Sequence, residues 1–291
     1  MAQGGFVSHN ERIDAHKVRA RSESFNDHFS QAKMFYESQT NVEQRHISKA
    51  LQFEIGKVET MEIRVRMLGL LSQVSMDLAS EVAKGLGMKV PAEPEFPMNK
   101  GVGADAELGT NEPTAVNNKT KTFNSLSMLN NPRYDPSVET RKVAIICSDG
   151  TSESSVMALK SALKKSGAMA QIVAPHLGFV TTDEGGQLPV DFTFFTCASV
   201  LFDGVFMAPG DLEQWQGDAN VIDFISDAYR HCKPIGGDTR AKEFIESTHF
   251  AKLFAQEDDG ILMTKNADDN YAEKFITALS KHRFWTRETK L

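Results

Sequence analysis

Apolar residues recur three and four apart through the first third of the chain and thin out in the middle. They then gather into short unbroken runs that alternate with helical stripes. The pattern predicts a small all-α region over 1–87, an extended linker over 88–138 and an α/β domain over 139–291. In the first region, residues 30–39 follow Asn26 and Asp27, both good helix starters. Thr40-Asn41-Val42-Glu43 reads as a capping box, in which Thr40 accepts a backbone N–H and Glu43 reaches back. Ile47, Ala50, Leu51, Ile55 and Val58 then share one face. Ile63, Met67, Leu71, Val74, Leu78 and Val82 form the stripe of a third helix, closed by Gly85 and Gly87. The aromatics Phe25, Phe29, Phe35, Tyr36 and Phe53 exceed what so small a bundle readily buries, which hints at a partner surface.

The linker is rich in Pro, Gly, Asn and Thr and has no period. Its end, residues 125–134, carries Leu126, Met128 and Leu129 and is expected to be an anchor point. Beyond it, Val143 to Ile146 is a buried-strand run, 148–151 a turn, and Val156, Leu159, Ala162 and Leu163 a helical stripe ending at Gly167. A second strand over 168–173 completes a βαβ unit, which implies parallel pairing with a right-handed crossover. Further strands are expected at 205–208, 234–237 and 261–263, with helices around 221–229, 241–247 and 270–282. The whole reads as a flavodoxin-like, doubly wound sandwich.

Composition narrows the function classes. A net charge of −7 argues against a general nucleic-acid or anionic-membrane binder. No run approaches the ~20 apolar residues of a membrane helix. The first residues lack the apolar core of a signal peptide, and the cytoplasm is the favoured compartment. Cys147, Cys197 and Cys232 are far apart and form no Cys-x-x-Cys pair. Cys147 and Cys197 sit in apolar surroundings and read as buried thiols. The histidines are scattered away from zinc-ligand spacing, and His28, His46, His176 and His231 lack a triad-like context.

Two turns are the candidate chemical sites. Residues 147–151, "CSDGT", follow the first strand but match neither a Gly-x-Gly-x-x-Gly nor a Walker pattern. They read as a tight turn capped by Asp149 and Ser152. Residues 233–241, "KPIGGDTRA", form a strand-to-helix turn whose tip offers Asp238 and Thr239. A nucleophile there needs a base within reach, and no histidine neighbours Thr239 in sequence. Helix capping by Asp238 and Thr239 is the favoured reading. Cys232, between His231 and Lys233, is the one thiol with a cationic sequence neighbourhood.

Two stretches resemble a known family. Residues 17–59 carry Asp27-His28-Phe29-Ser30-Gln31-Ala32, Phe35-Tyr36, Glu43-Gln44 and Phe53-Glu54-Ile55-Gly56-Lys57-Val58, which is similar to the helical domain of haem catalases. The order "RKVAII", "LKSALKKSGA", "IVAPHLG", "LPVDFTF", "SVLFDGVF" and "AYRHCKPIGG" resembles the C-terminal domain of the large-subunit catalases, itself similar in fold to class I glutamine amidotransferases and intracellular proteases. The resemblance implies peroxide dismutation by haem in the intact family, a tetramer, and a preceding haem barrel as this segment's partner. That barrel carries the distal histidine and asparagine, and the segment after it carries the iron-ligating tyrosine. Gly4-Gly5-Phe6 resembles the family just beyond that tyrosine, and no tyrosine here stands in an Arg-x-x-x-Tyr context. The chain is therefore expected to hold no cofactor and to be inactive alone, with a stabilising, channel-gating or chaperone-like role. Relative to the protease-like relatives, Thr239 takes the cysteine position and Arg240 the histidine position, while Ser152 with Glu153 stands near their early-helix acid. The alternative is a cysteine-dependent small-molecule hydrolase or redox sensor of that superfamily, using one of the three thiols.

Overall fold

The computed structural model describes residues 8–14, 27–95, 121–131, 135–208, 210–249, 251–254, 258–265 and 267–289. Gly4 to Phe6, Phe25, Asn26 and most of the linker lie outside the described residues. The chain divides into two compact units, Met1–Tyr134 and Asp135–Leu291.

The first unit contains helices α1 (Ser30–Glu37), α2 (Asn41–Gly56), α3 (Met61–Val74) and α4 (Met76–Gly85). The single third helix expected from the stripe is thus two helices. Ser75 between them is extended (φ −158°, ψ 131°), and its hydroxyl accepts the Leu78 N–H at 3.4 Å to cap α4. The stripe runs on across the break because Leu68, Leu71, Val74, Leu78 and Val82 all enter one core, so periodicity alone does not reveal it. α4 ends in a Schellman motif: Gly87 lies at φ +66°, and the Met88 N–H reaches the Ala83 carbonyl at 2.9 Å. Of the aromatic surplus, Phe29 is buried and Tyr36 packs on the core. Phe35 and Phe53 are exposed, the latter under the Lys57 ammonium at 3.8 Å.

The Thr40–Glu43 capping box forms as expected, and Glu43 also does more. Its carboxylate accepts the Ser127 hydroxyl and the Met128 N–H, each at 2.8 Å, while Gln39 donates to the Leu126 carbonyl at 3.1 Å. Segment 121–131 is therefore anchored by polar atoms. The expected apolar anchors Leu126, Met128 and Leu129 are exposed. Burial pushes the Glu43 carboxyl up, but hydrogen bonds from Thr40, Ser127 and Met128 outweigh it and leave it below its ordinary range.

The second unit is a doubly wound α/β sandwich. Its strands are β1 (Lys142–Cys147), β2 (Met169–Ala174), β3 (Gly178–Thr181), β4 (Gln187–Val190), β5 (Phe192–Thr193), β6 (Gly204–Ala208), β7 (Ile235–Gly237) and β8 (Ile261–Met263). Among the described residues, six of these form a parallel sheet in the order β5-β2-β1-β6-β7-β8. Without the short β5, that is the flavodoxin-like order. β3 and β4 make a separate antiparallel hairpin that the periodicity did not predict.

Alternate residues of β1 supply the two faces. Val143, Ile145 and Cys147 pack under α5 (Glu153–Lys165) and α9 (Asp269–Ser280). Ala144 and Ile146 pack under α6 (Ala219–Arg230) and α7 (Thr239–Glu246). A short α8 (Ala251–Phe254) follows α7.

The chain's last turn locks the sheet's lower edge. The guanidinium of Arg287 is fully buried, forks onto the Asp258 carboxylate, donates to the Lys233 carbonyl at 2.6 Å and lies over the Tyr229 ring at 4.8 Å. Removing one partner of a buried pair strands the other charge, which typically costs about 3–5 kcal/mol. Asp258→Ala is therefore expected to lower the second unit's urea midpoint by that order. A midpoint within error of the parent chain contradicts the assignment.

Candidate functional site

The strand order reverses between β1 and β6, and in open parallel sheets ligands sit in the crevice at the carboxyl ends of such strands. Here the two loops that flank the crevice are bonded to each other. After β1, the turn 148–151 meets the loop after β6: the Ser148 hydroxyl accepts the Gly210 N–H at 2.9 Å and donates to the Asp211 carbonyl at 3.1 Å. The Asp211 N–H reaches the Asp149 carbonyl at 2.7 Å, and Thr151 donates to the Ala208 carbonyl. A Cβ on Gly210 would stand 2.1 Å from the Asp149 carbonyl oxygen and 2.3 Å from the Thr151 nitrogen. Gly210 is there because nothing larger lets the two loops touch.

The hairpin clamps the other side of the same turn. The Gly150 N–H donates to the Thr181 carbonyl at 2.8 Å, and the Asp183 N–H to the Thr151 carbonyl at 2.9 Å. Asp149 and Ser152 were expected to cap this turn locally. Instead the Asp149 carboxylate accepts the Thr181 N–H and hydroxyl, each at 2.8 Å, and Gln214 donates to it at 3.3 Å. Ser152 makes no capping bond, and the Glu153 N–H at the start of α5 is taken by Asp183 at 3.0 Å. Thr182 donates to the Glu153 carboxylate, which commits that acid to the hairpin.

The sequence candidates are not brought together. Asp238 and Thr239 lie at the carboxyl end of β7, whereas Cys232 precedes its amino end. Asp238 is the N-cap of α7, accepting the Ala241 N–H at 3.0 Å, and burial raises its carboxyl despite that bond and the nearby Arg240 charge. Thr239 opens the helix. Arg240 donates to the Gly210 carbonyl at 2.9 Å and ties α7 to the loop lock. Cys232 is the stop residue of α6, at φ +58°, with the Lys233 N–H returning to the Ala228 carbonyl at 3.0 Å. Burial pushes its thiol up, and Glu288 adds to the shift against Arg287 and Arg283. Burial also lifts Cys147 to about 12 and Cys197 to about 11.

Sequence reasoning missed Gly210 and Arg240 as the residues that close the crevice. Their partners lie 30 to 90 residues away, beyond the reach of local pattern. Among the described residues no group of three His, Cys, Asp or Glu side chains has metal-binding geometry, and no helix is long and apolar enough to cross a membrane.

The Asp149 carboxyl is held below its ordinary value by the two Thr181 donors. The resulting stability is fully present above the unfolded value, about 3.9, and is lost as pH falls through the lower folded value. Asp149→Asn is therefore expected to be less stable than the parent at neutral pH, and the gap is expected to close in strong acid. A gap of equal size at pH 7 and pH 2.5, read by urea unfolding, would refute the Asp149–Thr181 assignment.

Comparison with known proteins assigns both units. Residues 139–289 match the model of the C-terminal domain found in long catalases, and residues 22–86 match the catalase-related immune-responsive model. Catalase-2 of Bacillus subtilis (strain 168) is 33% identical over 98% of this chain and 38% of its own length. Catalase HPII of Pseudomonas putida is 34% identical over 98% of this chain and 37% of its length. Catalase-B of Dictyostelium discoideum is 30% identical over 99% of this chain and 39% of its length. The chain thus spans about two fifths of the length of the curated relatives it matches, and it belongs to the long, large-subunit catalase family.

Proposed function

We propose that this chain is the non-catalytic, accessory part of a large-subunit catalase, whose haem-bearing remainder dismutes hydrogen peroxide to water and oxygen. The observation that supports the reading is the close contact at the switch point, where Gly210 lies against the backbone of Asp149 to Thr151. We further assign 1–87 to the helical domain, 88–138 to an extended linker and 139–291 to the accessory domain. A domain that packs only on a folded partner stabilises it by mass action, and the family's tetramer is the natural recipient.

The described tyrosines do not fit the iron ligand of the family's haem, and burial raises the phenol of Tyr36 as it does those of Tyr229 and Tyr271. A catalase-type iron ligand is a phenolate facing an apolar slot. The Tyr271 hydroxyl donates to the Leu262 carbonyl at 2.7 Å, and burial raises its phenol. Tyr229 lies under the Arg287 guanidinium, and burial raises it too. Both shifts oppose a phenolate.

Adding hemin to the purified chain is expected to give no stoichiometric Soret band and no oxygen from peroxide. A stoichiometric band with oxygen release overturns the reading. In a long catalase, deleting the segment equivalent to 139–291 is expected to shorten the half-life of activity on heating while leaving the initial rate intact. An unchanged half-life removes the stabilising role.

The cysteine-dependent alternative requires a thiol with a depressed pKa in an accessible setting. All three thiols are buried and pushed up. Native labelling at pH 8 with a disulfide reagent is expected to be slow at each cysteine and fast after urea unfolding. Rapid stoichiometric reaction at Cys232 would restore the alternative.

A further inference from the structure

Segment 121–131 turns polar atoms inward and apolar side chains outward. Its bonds to the α1–α2 corner are all polar. The Phe123 N–H donates to the Ser38 hydroxyl at 3.0 Å, and Gln39 donates to the Leu126 carbonyl at 3.1 Å. Glu43 takes the Ser127 hydroxyl and the Met128 N–H, each at 2.8 Å. Ser127 is buried, while Phe123, Leu126, Met128 and Leu129 are exposed. Phe35 of α1, also exposed, lies beside this segment: the Gln39 amide that reaches Leu126 also donates to the Phe35 carbonyl at 3.0 Å.

Met128 is the extreme of this arrangement. Methionine is ordinarily among the most buried residue types. Met128 is nevertheless 76% exposed, more than Met61, Met76, Met157 or Met169, the other exposed methionines among the described residues. At the opposite limit, Met207 in β6 is fully buried. The Met128 thioether is therefore open to a small oxidant in solution. Its backbone is held by Glu43 through the N–H, an atom that oxidation of the sulfur does not touch.

We propose that Met128 is a site of reversible oxidation by hydrogen peroxide, which switches the outer face of segment 121–131 from apolar to polar. A sulfur lone pair attacks one peroxide oxygen and the O–O bond breaks. The other oxygen leaves as hydroxide and takes the proton of the first to become water. The sulfur loses two electrons and the peroxide gains them, so one peroxide gives one sulfoxide and one water. The product is a polar side chain, and methionine sulfoxide reductases reverse the step. No printed anchor of the segment uses a side-chain atom of Met128, so the segment stays in place while its face changes. The proposal needs only peroxide and an open thioether, and it is independent of the accessory role proposed above.

The test treats the whole chain with hydrogen peroxide and follows each methionine by peptide mass spectrometry. Met128 is expected to gain one oxygen, about 16 Da, before the others, and Met207 only after urea unfolding. Binding of a dye that reports apolar surface is expected to fall in step with Met128 oxidation and to recover with the reductase. Met128→Leu keeps the apolar surface but not the sulfur, and it is expected to retain its dye binding at the same peroxide dose. The oxidised parent is expected to melt within about 2 °C of the untreated chain, because changes at exposed side chains have small effects on stability. Oxidation of Met128 no faster than Met207 in the native chain, equal dye loss in parent and Met128→Leu, or a larger fall in melting temperature overturns the proposal.

Discussion

Everything at the carboxyl end of the sheet depends on one close approach of backbone to backbone, Gly210 against the turn from Asp149 to Thr151. A side chain at position 210 would force the β1 and β6 loops apart and open the crevice that this fold usually offers to ligands. Around that contact the bonds reinforce one another. The Ser148 hydroxyl both accepts from and donates to the loop after β6, Asp149 reaches the hairpin, and Arg240 brings α7 onto the Gly210 carbonyl. Catalytic crevices need an unsatisfied donor or an open volume; here the loop atoms satisfy each other.

The helical unit obeys a similar economy with different parts. Glu43 completes the capping box of α2 and then holds Ser127 and Met128 with the same carboxylate. One acid therefore fixes both a helix start and a segment more than 80 residues further along the chain. The exposed apolar side chains of that segment remain available outward, since polar atoms do the anchoring.

Sequence pattern was sufficient for elements whose burial is simple. Val143 to Ile146 and Val205 to Ala208 are buried on both faces, so each shows as an unbroken apolar run. Gly167 and Gly87 mark helix ends because the left-handed stop needs φ > 0. The β3–β4 hairpin stayed hidden for physical reasons. Pro189 lies within β4 and is tolerated only because β4 pairs on one side, with β3. The break at Ser75 is silent because residues on both sides face one core. Asp149, Glu43 and Arg240 each act on partners dozens of residues away, which no local period reports.

The strand-to-helix turn shows why a familiar shape is a poor guide to chemistry. Two small residues before the tip suggest a nucleophile elbow, yet their reason here is packing. A Cβ at Gly236 would meet the Tyr271 hydroxyl at 2.2 Å, and one at Gly237 would meet the Ala241 methyl at 2.6 Å. The Tyr271 hydroxyl needs that space: it accepts the Gly237 N–H at 3.1 Å and donates to the Leu262 carbonyl at 2.7 Å, bridging β7 to β8. The tip residue Asp238 then caps α7. Glycine-glycine and an acid at the elbow are fully explained by strand bridging and helix capping. The chemistry the shape suggests would require a nucleophile and base that Thr239 and Arg240 do not supply.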